Sequence, residues 1–119
     1  MIRHALCALI LMAVPVMAQQ KATAGSGAVL RGLDRINGET LDLEMAVGQT
    51  KTFGRLEITL SDCRYPAGNR AGNAYASLEV SEKGRDGVVF SGWMIASAPA
   101  LSAMDHARYD VWVMRCTTS

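Results

Sequence analysis

The amino-acid sequence predicts an all-β domain, a small antiparallel sandwich or partly open barrel of six to seven strands, preceded by a signal peptide. Several short segments alternate apolar and polar residues, as in LDLEM at residues 41–45. That alternation is typical of a strand with one buried face. Gly, Pro and Asn separate these segments, and no segment keeps a helical period over the roughly 11 residues that identify a helix. Short strands with frequent turns indicate a sandwich or barrel.

The first half of the chain holds four predicted strands. The dipeptide Asn37-Gly38 follows the first of them and is a strong signal for a tight hairpin turn. Glycines at positions 48 and 54 end the next two, and the short third strand is predicted to lie at an edge. These four strands are Val29–Ile36, Thr40–Met45, Thr50–Phe53 and Leu56–Cys63.

The second half holds three more predicted strands. The segment RYPAGNRAGN at residues 64–73 is predicted to be a surface loop, and Ala74–Val80 then alternates as a half-buried strand. The charged segment SEKGRDG at residues 81–87 is predicted to be a hairpin loop. The last two strands, Val88–Ile95 and Tyr109–Cys116, are joined by a linker with Pro99 and one possible helical turn around Leu101–Met104.

The last two strands are apolar at both odd and even positions. A strand with this pattern is expected to be buried on both faces. We therefore predict that Val88–Ile95 and Tyr109–Cys116 form the centre of the sheet. Trp93 and Trp112 occupy similar positions in these strands, and the same pattern favours core positions for both rings over a stacking platform for a sugar or a peptide.

The N-terminus has the order of a secretory signal peptide. Arg3 is followed by an uncharged run from Ala5 to Met17 and by the small-x-small site Val16-Met17-Ala18. This run is shorter than the roughly 20 apolar residues of a transmembrane helix. We predict a signal peptide over residues 1–18, a flexible polar leader over 19–27 and a single β domain over 28–119. This places the mature protein in the periplasm with no stable membrane insertion after cleavage.

Charge and cysteine content narrow the function classes. Cleavage would remove Arg3 and leave eleven basic against eleven acidic residues. The basic residues are scattered, which disfavours binding to nucleic acid or to an anionic membrane surface. Cys7 lies in the predicted signal peptide, so Cys63 and Cys116 remain. Two cysteines in an exported chain indicate one disulfide, whereas a zinc site would need further Cys or His ligands nearby.

Few residues offer catalytic chemistry, and the sequence predicts a protein that is not an enzyme and has no cofactor. His106 is the one histidine of the predicted mature chain, and no G-x-S-x-G motif would present a nucleophile to it. Met104 and His106, near Met94 and Met114, are ligand types that suit Cu(I), although methionine in apolar strands is commonly a core filler. The candidate surface for a ligand or partner therefore comprises Trp93, Met104, His106 and Trp112.

Several segments in combination resemble a known protein family. They are GLDRINGET at residues 32–40, FGRLEIT at 53–59, Cys63, and FSGWMIASAPALSAMDHARYDVWVMRC at 90–116. These segments are similar to the alphaproteobacterial exported proteins grouped as domain of unknown function 2155, except that Ala107-Arg108 replaces a proline and a small apolar residue. The resemblance implies a location in the cell envelope and a shared fold, and it implies no activity.

Two hypotheses for function follow. The first is a non-enzymatic periplasmic domain that binds another envelope protein or has a structural role. The alternative is a small-ligand or copper-binding module, with copper at Met104 and His106 or a glycan at Trp93 and Trp112. A hydrolase is disfavoured because no nucleophile set is present in the sequence.

Overall fold

The computed structural model describes residues 21–118, which form eight strands in two antiparallel sheets. The predicted all-β fold class is confirmed. Seven of the strands correspond to the predicted ones, and β1 is additional. The strands are β1 (Ala22–Ala24), β2 (Gly27–Asp34), β3 (Thr40–Ala46), β4 (Thr50–Phe53), β5 (Leu56–Pro66), β6 (Tyr75–Glu82), β7 (Val88–Ile95) and β8 (Tyr109–Thr117).

The larger sheet has five strands, and β5 is the strand on which it is built. Its order is β1-β5-β6-β7, and β4 also pairs with β5. The strands β1 and β4 lie on the same side of β5, because β1 pairs with residues 64–66 and β4 with residues 56–59. This length of β5 lets two short strands complete one side of the sheet.

The smaller sheet has the order β3-β2-β8. Its β2–β3 hairpin turns at the predicted Asn37-Gly38 site, where Gly38 has a φ of 75°. That left-handed conformation favours glycine. The Asp34 carboxylate accepts a hydrogen bond from the Ile36 N–H, and Asn37 Oδ1 accepts one from the Glu39 N–H. These local bonds fix the turn and place the buried Asp34 carboxylate at the end of β2.

One core lies between the two sheets and is built from the inward-facing residues of both. Gly32 shows how closely the sheets approach, since a Cβ placed there would lie 2.8 Å from two ring carbons of Phe53. Tyr109 is the largest fully buried side chain, and its ring meets Phe53 edge-on at 5.7 Å. Other fully buried members are Leu30, Met45, Leu56, Ile58, Leu60, Leu78, Val80, Val111 and Val113.

The predicted disulfide is present. Cys63 on β5 is bonded to Cys116 on β8, with the two Cα atoms 5.7 Å apart. Because β5 and β8 belong to different sheets, the bond joins the two layers of the sandwich. It closes a loop of 53 positions and covalently ties the first half of the chain to its last strand.

The predicted position of the last two strands is wrong. Each of β7 and β8 lies at the edge of its sheet, not at the centre. Val88 is 55% exposed and Trp93 45% exposed, so β7 is not buried on both faces and Trp93 is not a core residue. The prediction failed because the alternation pattern reports which residues are apolar, not how many neighbouring strands a strand has.

The structure also differs from the predicted leader. Ala22–Ala24 form β1, which pairs with the end of β5, and β2 begins at Gly27. The Gly25 N–H donates to the Cys63 carbonyl, and the Ser26 N–H to the Thr117 carbonyl. Backbone hydrogen bonds order this segment although its side chains are small and polar. The predicted signal peptide, residues 1–18, lies outside the described residues, and within residues 21–118 no helix has the length and apolarity to span a bilayer.

Candidate functional site

The four candidate residues do not form one surface. Met104 is 3% exposed and belongs to the core, and the His106 side chain is also buried. Trp93 faces outward on β7 of the larger sheet, whereas Trp112 faces outward on β8 of the smaller sheet and is partly buried against the core. Among the described residues, neither tryptophan ring is paired with another aromatic ring. The structure therefore does not build the sugar-stacking platform considered from the sequence.

Both ring nitrogens of His106 are engaged in hydrogen bonds. Nδ1 accepts from the backbone N–H groups of Arg108 and Tyr109, at 3.0 and 3.1 Å. An accepting Nδ1 carries no proton, so the proton of the neutral ring is on Nε2. Nε2 lies 3.1 Å from Glu82 Oε1 and donates to it. His106 therefore connects the end of β6 to the start of β8, and neither ring nitrogen is free.

Glu82 is the acidic end of this connection. Burial opposes its ionisation, but hydrogen bonds from His106 and Arg85 outweigh that effect and lower the pKa of Glu82 below its ordinary value. Glu82 is therefore ionised at neutral pH. A carboxylate in that state accepts the hydrogen bond from His106 Nε2.

A second connection, to the buried Asp34 carboxylate, joins the linker to the β2–β3 hairpin. Arg108 donates from Nε and Nη2 to the Asp34 carboxylate, the shortest distance being 2.8 Å. The hydrogen bonds from Arg108 lower the pKa of Asp34, against the opposing effect of burial. The Arg108 guanidinium also lies 5.0 Å from the centre of the Tyr109 ring, a cation–π distance. Arg35 adds a bond of 2.6 Å to the His106 carbonyl.

The start of the β8 edge is capped by side chains. The Tyr109 N–H donates to His106 Nδ1, and the Val111 N–H donates to the Asp110 carboxylate at 2.9 Å. Sheet edges with free N–H groups readily pair with other chains, and proteins use such devices to prevent it. The first two outward N–H groups of β8 are thus withheld from a partner strand.

An apolar groove lies between the linker and β8. Its volume is about 370 Å³, and Asp110 is the charged residue of its lining. Beside it, the linker forms a short 3₁₀ helix over Pro99–Ser102, near the predicted helical turn, and Leu101 on that turn is 75% exposed. The lining residues are Pro99, Ala100, Ala103, Asp110, Val111 and Trp112.

Sequence reasoning found Trp112 but missed the groove around it. In the sequence, Pro99, Ala100 and Ala103 indicate only a linker of small residues. They form a surface because the folded chain places this linker beside β8. The signal that was available is Leu101, a large apolar residue in a segment otherwise made of small residues. Asp34 and Arg108 were likewise missed because they are 74 positions apart.

The geometry does not support the copper alternative. Within residues 21–118 no three side chains of His, Cys, Asp or Glu come together as a metal site. Met94 and Met104 are both buried in the core, where their thioethers serve packing. His106 has no free nitrogen, as described above.

Comparisons with known proteins place the chain in a family. The family described as "Uncharacterized protein conserved in bacteria (DUF2155)" matches residues 28–116. A protein of Rickettsia prowazekii (strain Madrid E), itself named as uncharacterized, is 25% identical over 87 residues, which cover 71% of this chain and 56% of the relative. The chain thus spans little more than half the length of that relative. No solved structure matches.

Proposed function

The chain belongs to this bacterial DUF2155 family, and on that premise we propose that it is a non-enzymatic, exported periplasmic domain that binds another envelope protein. The binding surface is the groove between the linker and β8, together with the exposed Leu101. Its occupant is an apolar segment of the partner protein. The observation that carries the proposal is this groove, because its apolar lining includes Trp112 and the residues on either side of the exposed Leu101 turn.

The character of the surface favours a protein over other partners. Interface cores are enriched in aromatic residues and depleted of charge, and the groove combines Trp112 with Pro99, two alanines and one acidic residue. Leu101 continues the apolar surface beyond the groove, where a small ligand would leave it exposed. The scattered charges of the chain still argue against nucleic acid as the partner.

The absence of enzymatic activity is part of the proposal. The polar residues Asp34, Glu82, His106 and Arg108 use their polar atoms on one another or on backbone groups. Such satisfied networks stabilise a structure. A catalytic base, in contrast, must reach a substrate proton.

Two observations support export. The first is the order of basic, apolar and small residues in positions 1–18. The second is the disulfide between Cys63 and Cys116, because disulfides persist in oxidising compartments such as the periplasm.

A matched pair of variants tests the binding surface. Leu101 and Ile36 are equally exposed, at 75% and 74%, but Ile36 lies in the β2–β3 turn away from the groove lining. We expect the tagged protein to retain its partner from a periplasmic extract, Leu101→Asp to lose it, and Ile36→Asp to keep it. Loss with both variants, or with neither, would contradict the assignment of this surface.

A second candidate function is binding of a small apolar ligand in the same groove. Its volume of about 370 Å³ lies within the roughly 300–1,000 Å³ of small-molecule sites. Titration with apolar fluorescent probes, read by Trp112 emission in a Trp93→Phe background, separates this candidate from protein binding. A probe that saturates the unaltered groove and no longer binds the Ala103→Trp variant would favour small-ligand binding over protein binding.

A further inference from the structure

The outer face of the larger sheet holds two neighbouring cross-strand rows of residues, which we call the outer-face patch. In each row a residue of β5 lies opposite one of β6, which lies opposite one of β7. The rows are Arg64–Tyr75–Ile95 and Asp62–Ser77–Trp93. The buried residues Cys63, Ala76 and Met94 alternate with them along the strands. Successive side chains of a strand point to opposite faces, so both rows face away from the core.

Two aromatic residues lie on the outer-face patch. Trp93 is 45% exposed, and the partly buried Tyr75 occupies a diagonal position from it across β6 and β7. Diagonal neighbours on one face of a sheet lie about 7–8 Å apart. Within residues 21–118 the two rings do not pack on each other, so each retains surface for a ligand.

A pocket lies beside Tyr75, on the β1 side of the patch. Its lining residues are Lys21, Ala22, Arg64, Pro66 and Tyr75. Its volume is about 260 Å³, just below the roughly 300–1,000 Å³ of sites that enclose a drug-sized ligand. The pocket therefore suits one group of a larger ligand, and the rest of such a ligand would lie along the open face toward Trp93.

The cationic side chains at this pocket are available to an anion. Arg64 donates through Nε to Asp62 at 2.9 Å, and no other side-chain bond of Arg64 or Lys21 is formed within residues 21–118. The terminal nitrogens of a guanidinium and an ammonium group both suit a carboxylate, which accepts charge-assisted hydrogen bonds from them. Glu57 and Glu79 lie on the same face toward its other end, so the anionic group of a ligand is directed to the pocket.

We propose that the outer-face patch binds an acidic glycan, a chain of sugar rings that carry carboxylates. One carboxylate enters the pocket and binds Lys21 and Arg64, and sugar rings lie across Tyr75 and Trp93. The C–H face of a sugar ring packs on an aromatic ring, while its hydroxyls stay accessible to polar groups such as Ser77. This surface lies on the other sheet from β8 and its groove, so the inference goes beyond the proposed function.

The backbone and the charge of this face favour a glycan over a peptide or a membrane. In the patch, β5 and β6 each pair with a strand on both sides, whereas an extended peptide adds to a free strand edge. Anionic lipid surfaces are recognised by clusters of about 4–8 Lys and Arg, and this pocket has only Lys21 and Arg64. A glycan needs neither feature, because ring packing and side-chain hydrogen bonds hold it.

Titration calorimetry of the purified protein with a tetramer of galacturonic acid tests this proposal. At low salt we expect a dissociation constant below about 1 mM. The fully methyl-esterified tetramer has the same rings without the carboxylates, and it should bind at least about tenfold more weakly. Lys21→Gln, Arg64→Gln and Trp93→Ala should each weaken binding of the acidic tetramer by about fivefold or more.

Lys83→Gln and Arg115→Gln are the matched controls, because both residues are exposed and lie away from the patch, in the β6–β7 loop and on β8. They should leave the affinity unchanged. The exposed Arg64–Asp62 pair contributes little stability, so Arg64→Gln should melt like the parent protein. Equal binding of tetraglutamate, binding that tolerates both Lys21→Gln and Arg64→Gln, or no binding of the acidic tetramer up to about 1 mM would overturn the proposal.

Competition against the bound tetramer identifies the source of the glycan. Cell-wall glycan strands freed of their peptides and the lipid-free core of lipopolysaccharide both carry sugar carboxylates. Competition by one of them supports the proposal and names the source, and competition by neither contradicts it. None of these outcomes depends on the groove, so the proposed function is tested separately.

Discussion

At the scale of single residues, two buried polar groups position the linker that forms the groove. Asp34 binds Arg108 at the end of the linker, and His106 binds the backbone of residues 108 and 109 together with Glu82. These contacts connect the linker to the end of β2 on one side and to the end of β6 on the other. Neither could be predicted from the sequence, because each joins residues distant in the chain whose proximity depends on the sheet order.

The Asp34–Arg108 pair predicts an acid-dependent loss of stability. The pKa of Asp34 is lowered in the folded protein, so its stabilising effect is complete above the unfolded value of about 3.9 and is lost as pH falls through the lower, folded value. Asp34→Asn should lower the melting temperature at pH 7, and its difference from the wild type should shrink below about pH 4. Asp86→Asn, in the exposed loop, is the control and should change little. A constant Asp34→Asn deficit across this range would contradict the role of the charge.

His106 is expected to carry its proton on Nε2, because Nδ1 accepts two backbone N–H groups. Long-range proton–nitrogen correlation spectra of the imidazole report this directly, and a proton on Nδ1 would contradict the two backbone hydrogen bonds. His106→Ala leaves Glu82 Oε1 and the N–H groups of Arg108 and Tyr109 without their hydrogen-bond partner. Urea unfolding should show a loss of about 1–3 kcal/mol, the usual cost of unsatisfied buried groups.

At the scale of elements, strands and turns were predictable and strand positions were not. The alternation in Thr40–Met45 and the Asn37-Gly38 turn identified the β2–β3 hairpin, because both are local patterns. The apolar pattern of Val88–Ile95 predicted the strand correctly but its position in the sheet wrongly. That position follows from the strand order β5-β6-β7, which is set by pairing between distant segments. The disulfide was predictable because only two cysteines remain after the signal sequence.

Two aromatic residues of β8 should differ in their contribution to stability. Tyr109 is 1% exposed and packs on Phe53, so Tyr109→Ala should cost about 3–5 kcal/mol, as for other buried aromatic residues. Trp112 lines an open groove and is only partly buried, so Trp112→Ala should cost less. Denaturant unfolding of both variants tests this order, and an equal loss would place Trp112 in the core as the sequence suggested.

The disulfide should contribute substantially because it closes a loop of 53 positions. Chain-entropy arithmetic gives about 4 kcal/mol. Cys63→Ala and Cys116→Ala should each lose a similar amount, and the double variant no more than either one, since all remove the same bond. Alkylation of the denatured, unreduced protein should label neither cysteine. Labelling of both would show free thiols in the protein as it exists in the cell.

At the scale of the whole molecule, the proposed function combines export, a disulfide-bonded sandwich and a binding groove. The sequence predicted the fold class and three of the residues that matter, Cys63, Trp112 and Cys116, from local pattern and composition. The groove itself was beyond such reasoning, because its two walls come from a linker and a strand that only the folded chain brings together.

Export predicts a defined mature terminus. The n-, h- and c-region order of residues 1–18 implies cleavage after Ala18. Intact mass measurement of the periplasmic protein should therefore give a chain that begins at Gln19. Recovery of the uncleaved chain from the inner membrane would contradict the proposed location.

Site-specific photocrosslinking in living cells tests directly whether the groove binds another envelope protein. A photoreactive amino acid is introduced at Leu101, beside the groove, and separately at Ile36, which is equally exposed in the β2–β3 turn. We expect one dominant adduct with another envelope protein at Leu101 and none at Ile36. No adduct at Leu101, or the same adducts at both positions, would contradict the groove as the site of partner binding.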